Sequence, residues 1–128
     1  MDYLVEAKKI VAHWLKRHPR GVIVVLGPTG SGKTGLAVEL AKCFDGEIIS
    51  ADSRQFYRGM SIGTAQPTPL EMAQIPHHLI GFLPPDEQFT VADFKEKSET
   101  LIKDIQKRKK VPLVVGGTGL YLRAVSEG

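Results

Sequence analysis

The chain has 128 residues, 42% of them hydrophobic and 24% charged, which is enough for one compact domain and not for two. Its formal net charge of +3 permits an RNA partner without demanding one, and its single cysteine, Cys43, excludes an intramolecular disulfide. No apolar run is long enough to cross a membrane and no signal-peptide core opens the chain, so a cytoplasmic setting is expected.

Residues 3–17 carry Leu4, Ala7, Ile10 or Val11, Trp14 and Leu15 at helical spacing. Lys8, Lys9, Lys16 and Arg17 give this helix a basic character. Asp2, Glu6 and the lack of serine argue against a membrane-surface or transit segment, so docking against the rest of the domain is expected. His18, Pro19 and Gly21 end it.

Val22–Leu26 is a continuous apolar run and reads as a strand buried on both faces. Gly27-x-x-x-x-Gly32-Lys33-Thr34 follows with the P-loop spacing. A helical pattern comes next, in which Leu36, Leu40 and Phe44 share a face with Ala37 and Ala41. The spacing has a physical basis. Glycines let consecutive N–H groups turn inward on phosphate oxygens, the helix N-terminus adds partial positive charge, and Lys33 adds a full one. Gly27, Pro28, Thr29, Gly30, Ser31, Gly32, Lys33 and Thr34 are therefore the expected phosphate-binding residues, with the Thr34 hydroxyl a ligand for Mg²⁺. Cys43 falls on an ordinary helix position.

Asp45-Gly46 predicts a turn and Glu47–Ser50 a second strand, parallel to the first because a helix joins them. Ligands of such sheets bind beyond the C-terminal strand ends. Asp52 is thereby placed near the phosphate loop, at about 4.8 Å if the strands are neighbours and about 10 Å if one lies between. Residues 52–67 read as a polar functional loop, and Thr68-Pro69-x-Glu71 as a helix start that Pro76 ends. Residues 77–82 read as a third strand. On it His77 and His78 point to opposite faces, which makes them a poor metal pair, and at least one is expected to be exposed.

Pro84-Pro85-Asp86 is a turn. Thr90 caps a long helix with Asp93 in its first turn and Val91, Phe94, Leu101, Ile102 and Ile105 on its buried face. Lys107-Arg108-Lys109-Lys110 closes the helix with four positive charges, read either as a nucleic-acid patch or as solvated residues suited to a helix C-terminus. Val111–Val115 is a buried strand with Pro112 at its start, followed by Gly116-Gly117-Thr118-Gly119 and a last helix carrying Leu120, Tyr121, Leu122 and Ala124. The pattern is α/β, a P-loop NTPase-like three-layer sandwich with a mainly parallel sheet, in which residues 1–21 extend a core of residues 22–128.

A P-loop alone does not settle a reaction. Motor-type and switch-type NTPases end a second hydrophobic strand in a carboxylate that holds Mg²⁺; here that strand ends in Gly116-Gly117-Thr118. Asp52 is the acidic residue best placed to reach the site, to hold metal through water or to take a proton from a nucleophile.

Gly27–Thr34, Asp52-Ser53-x-Gln55-x-Tyr57-x-Gly59-Met60, Ile62-Gly63-Thr64-Ala65, Pro76-His77-His78-Leu79, Val91-Ala92-Asp93-Phe94 and Gly116-Gly117-Thr118-x-Leu120-Tyr121 together resemble the tRNA dimethylallyltransferase family across residues 22–128. The resemblance implies transfer of a dimethylallyl group from dimethylallyl diphosphate to the exocyclic amine of an adenosine beside the anticodon, with Mg²⁺. The P-loop would then hold the donor's diphosphate in place of ATP. It further implies Asp52 as the base, Thr118 as the residue that positions the amine or Asp52, and Lys33 with the loop amides as stabilisers of the leaving diphosphate. Asp52, Ser53, Arg54, Gln55 and Thr118 would contact the anticodon stem-loop, Gln55 holding the target base.

Three features depart from the family pattern. Gln66 stands where a Lys is usual, the N-terminal helix has no counterpart in the common core, and family members continue well beyond Gly128. The sheet is therefore expected to be incomplete at the C-terminus, and this chain to have little transferase activity alone, while the full-length enzyme is expected to be monomeric. Two other readings share these residues: an adenylate isopentenyltransferase acting on free nucleotide, and a small-molecule kinase that binds ATP.

Overall fold

A computed structural model describes residues 2–27, 33–58 and 75–127. The first glycine-rich turn (28–32) and the stretch 59–74, with the expected helix start at Thr68, Gln66 and the Ile62–Ala65 motif, lie outside the described residues. In chain order the elements are α1 (Asp2–Arg17), β1 (Ile23–Leu26), α2 (Lys33–Phe44), β2 (Gly46–Ala51), a 3₁₀ turn (Ser53–Gln55), β3 (His77–His78), α3 (Val91–Lys107), β4 (Val111–Gly116) and α4 (Thr118–Glu127).

The described strands form one parallel sheet in the order β1-β4-β2-β3. β1 and β2 are parallel, as a strand-helix-strand unit requires, but β4 lies between them. Alternation along the strands then sorts side chains onto two cores. On one face Ile23, Ile48, Leu113 and Val115 pack with Ala37, Val38, Leu40 and Ala41 of α2, and Ala7, Val11 and Leu15 of α1 join from the edge. On the other face Ile49, Ala51 and Val114 pack with Phe94 and Ile105 of α3 and Ala124 of α4. The fold is a three-layer α/β sandwich.

The docking expected of α1 is observed, with one choice made by the tertiary structure. Val11 is the residue turned inward, and Ile10 is 66% exposed. The helix ends where the Trp14 ring lies over Gly21: a Cβ there would sit 2.0 Å from the indole, so any larger residue has to displace the ring. The expectation that β1 is buried on both faces is corrected. β1 is an edge strand of the described sheet, and its Val24 is 37% exposed.

The third strand is shorter than expected. It spans only His77–His78, and Leu79 ends it with a φ of 65°. Neither histidine is exposed, which corrects a second expectation: His77 Nδ1 lies 2.7 Å from the Ile75 carbonyl oxygen, and His78 Nε2 lies 2.7 Å from Glu47 Oε1. A carboxylate only accepts, so His78 Nε2 is the donor. α3 begins as the sequence predicts, in a reciprocal capping box. The Asp93 amide donates to Thr90 Oγ1 at 3.0 Å, and the Thr90 amide donates to Asp93 Oδ2 at 2.9 Å.

Candidate functional site

The site is assembled by strand register. Leu26 of β1 pairs with Gly116 of β4, and Gly116 with Ala51 of β2, so three strands end level with one another. The residues that follow, Gly27, Gly117 and Asp52, all leave the same edge of the sheet. The Gly27 amide donates to the Gly116 carbonyl at 3.1 Å, which ties the start of the glycine-rich segment to the end of β4. Lys33 and Thr34 then open α2, and Thr118 opens α4. Asp52 stands two strands from Gly27, about 10 Å across the sheet, with the start of α4 between them.

Gly116 has a packing reason for lacking a side chain. A Cβ there would lie 2.5 Å from both the carbonyl carbon and the oxygen of Ala51, and backbone cannot swing aside. The two strand ends that carry Asp52 and Thr118 approach closely only because this position is glycine. Gly116→Ala is expected to cost about 1–3 kcal/mol and to weaken phosphate binding, as the strand ends must part. Gly117→Ala, with nothing within 4 Å of its added carbon, is expected to leave the melting temperature unchanged. Thermal melts of the two variants side by side check this; equal melting temperatures would refute it.

Asp52 is held by its backbone. Its amide reaches Ser50 Oγ at 3.4 Å, and its carbonyl accepts from the Gln55 amide at 2.9 Å, which closes the 3₁₀ turn. Ser50 Oγ in turn donates to Gln55 Oε1 at 2.7 Å. Gln55, expected at a nucleic-acid contact, is thus nearly buried, with its amide oxygen engaged by Ser50. Ser53 is exposed beside it. Ser50 is a residue that pattern reading passed over. Its signal was present all the same: a hydroxyl inside an otherwise apolar, wholly buried strand must find a partner.

The turn is anchored from below. The Phe56 carbonyl accepts from the amides of Phe82 and Leu83, both at 2.9 Å, and the Gln55 carbonyl accepts from the Gly81 amide at 2.8 Å. The Phe56 ring packs among Phe82, Phe89 and Phe94, with centroids 5.7, 5.2 and 6.1 Å away. The segment after β3 and the start of α3 therefore act as the floor on which the Asp52 turn rests.

At the other end of β2 lies a charged cluster that the sequence did not announce. Glu47, with a side chain only 3% exposed, is gripped by the two terminal guanidinium nitrogens of Arg108 and by His78. Arg108 also reaches Asp104 Oδ2 at 2.9 Å. The hydrogen bonds from Arg108 draw the Glu47 carboxyl from 4.5 down to about 2; burial opposes this shift and His78 adds to it. Glu47 and Asp104 hold the guanidinium above its ordinary value in return. Arg108 is thus not one of four equivalent solvated charges but the clasp between α3, β2 and β3.

A parallel sheet with helices on both faces, and a glycine-rich G-x-x-x-x-G-K-T spacing between its edge strand and the following helix, defines a P-loop-like α/β fold. The family model described as IPP transferase matches residues 55–128. The tRNA dimethylallyltransferase of Roseiflexus castenholzii is 55% identical over 107 residues, which cover 84% of this chain and 35% of that protein. The crystal structure of a tRNA delta(2)-isopentenylpyrophosphate transferase from Staphylococcus epidermidis superposes with a TM-score of 0.77 at 56% identity, covering 81% of this chain and 34% of that one. A eukaryotic dimethylallyltransferase described as acting on tRNA superposes with a TM-score of 0.76 at 40% identity, covering 80% and 26%. The chain belongs to the IPP transferase family. It spans about a third of the length of the curated relatives it matches.

Proposed function

We propose that this chain carries the donor-binding and base-bearing part of a tRNA dimethylallyltransferase. The observation that carries the reading is the convergence of Gly27, Gly117 and Asp52 on one sheet edge, in a chain 55% identical to a protein of that name. In this reading residues 1–21 extend a core formed by residues 22–128. The loop amides of Gly27–Thr34 and the Lys33 ammonium cradle the diphosphate of dimethylallyl diphosphate. Thr34 offers a hard oxygen donor, the kind Mg²⁺ takes alongside phosphate oxygens. A bound Mg²⁺ would supply further neutralisation of charge on the diphosphate.

The reaction breaks the bond between the allylic carbon and the diphosphate oxygen and forms one between that carbon and the exocyclic nitrogen of an adenosine. The electron pair leaves on the diphosphate, where the amides and Lys33 stabilise it. An aromatic amine is a weak nucleophile because its lone pair is delocalised into the ring. It attacks as its proton passes to the Asp52 carboxylate, while Thr118 positions the amine or Asp52. The adenosine leaves its stack to reach this edge, with Ser53, Arg54 and Gln55 contacting the anticodon stem-loop around it.

The test is binding of dimethylallyl diphosphate with Mg²⁺ in competition with ATP. The donor is expected to displace ATP, and Lys33→Ala to weaken the donor by about 10- to 100-fold, the worth of one charge-assisted contact. If ATP binds tightly and the donor never displaces it, a kinase-type reading replaces this one. With tRNA and AMP offered as acceptors to the chain, any transfer is expected on tRNA alone.

A further inference from the structure

We propose that the N-terminal end of the sheet, opposite the candidate site, carries a second binding surface, for the phosphodiester backbone of a structured RNA. A concavity of about 810 Å³ lies there, walled by Pro19 and Arg20 before β1, by Lys103, Gln106 and Lys107 on α3, and by Lys109 in the turn before β4. Gln106 Nε2 donates to the Arg20 carbonyl, which joins two of the walls. The length of β4, roughly 17 Å, separates this concavity from the edge where Asp52 and Gly117 emerge.

The charge balance singles the place out. The carboxylates nearby are already engaged: Glu47 and Asp104 by Arg108, and Asp45 by Lys110 at 3.2 Å. Arg20, Lys103, Lys107 and Lys109 meet no carboxylate within 4.0 Å among the described residues. Four unmatched cations around one concavity repel one another in the free chain, an arrangement that a polyanion relieves. The need to complement a helix C-terminus accounts for Lys107 only. Lys103 lies a turn earlier, Lys109 follows the helix at a φ of 64°, and Arg20 comes from another part of the chain.

Lysines are point charges that hold phosphates without reading bases, so this surface fixes the position of the RNA and carries no sequence preference. The choice of RNA among polyanions rests on the tRNA-directed reading above; the unmatched cations do not. A hairpin RNA held here lies outside the reach of the reacting centre and adds affinity to whatever the site itself binds.

The experiment measures binding of a labelled RNA hairpin by the whole chain between about 50 and 200 mM salt, for the wild type and for a Lys103→Gln, Lys107→Gln, Lys109→Gln variant. The variant is expected to bind at least about tenfold more weakly, with a salt slope shallower by about 2 to 3, as three phosphate contacts are lost. Its dimethylallyl diphosphate affinity should not change. Lys109→Gln alone, outside any helix, keeps the test valid should the triple variant melt early, and is expected to remove about one contact from the slope. An unchanged slope overturns the proposal in favour of solvated helix-end charges. So does a wild type that binds no RNA, or a variant that loses only its binding to phosphatidylserine vesicles. If the hairpin behaves as expected but dimethylallyl diphosphate does not bind, the donor-site reading fails and this one stands.

Discussion

Between about pH 4.5 and pH 2 the chain is expected to lose on the order of 3 kcal/mol of stability through Glu47 alone, the equivalent of its carboxyl shift. The sign follows from linkage. A carboxyl whose folded value lies below its unfolded one binds fewer protons in the native state, so its contribution is complete above about 4.5 and is lost as pH falls through about 2. A Glu47→Gln variant is expected to be less stable than the wild type at neutral pH, with the gap narrowing towards pH 2. Urea melts at several pH values measure both curves; parallel curves would sink the assignment.

The same cluster predicts an asymmetry between its partners. Arg108→Met leaves a buried carboxylate with His78 as its one strong donor, whereas Glu47→Met leaves a guanidinium that is 41% exposed and still has Asp104. The arginine variant is therefore expected to melt lower than the glutamate variant, and the double variant higher than Arg108→Met, because no uncompensated charge remains inside. Melting at the same temperature for both single variants would mean that the pair stabilises through charge alone and not through burial.

Phe56→Ala is expected to destabilise the chain by about 3–5 kcal/mol and to lower its melting temperature by roughly 10 °C or more. The ring is 1% exposed and touches three other phenylalanines, so its removal opens a cavity that strands on one side and α3 on the other cannot close. The effect should be visible at the candidate site too. The residues on either side of Phe56 are the Asp52 turn and the amides of Phe82 and Leu83 that bond to its carbonyl, and amide exchange there is expected to accelerate first. Phe56→Leu, which keeps most of the volume, should recover more than half of the loss. A fall of less than about 1 kcal/mol for the alanine variant would show that the turn is held by its backbone bonds and not by the aromatic floor.

Pattern and spacing in the chain determined much of this. The Gly27–Thr34 spacing, the apolar runs of β1, β2 and β4, the Thr90–Asp93 cap and the faces of α2 and α3 are local signals, because helix periodicity, strand propensity and capping depend on neighbours a few residues apart. From them came the α/β class, the parallel sheet and the placing of Asp52 at the sheet edge from which Gly27 also leaves. What required the tertiary structure was every choice made by residues far apart in sequence. Local pattern left open whether β2 adjoins β1; the insertion of β4 between them settled it and put Gly116 against Ala51. Ile10 and Val11 both stand three or four residues from Ala7 and Trp14, so spacing admits either, and packing on α2 chose Val11. Arg108 looked like one more charge in a basic run until folding brought it onto Glu47, 61 residues away, beside His78. A buried charge is tolerable only with partners, and partners 61 residues apart are set by the fold and not by any local rule.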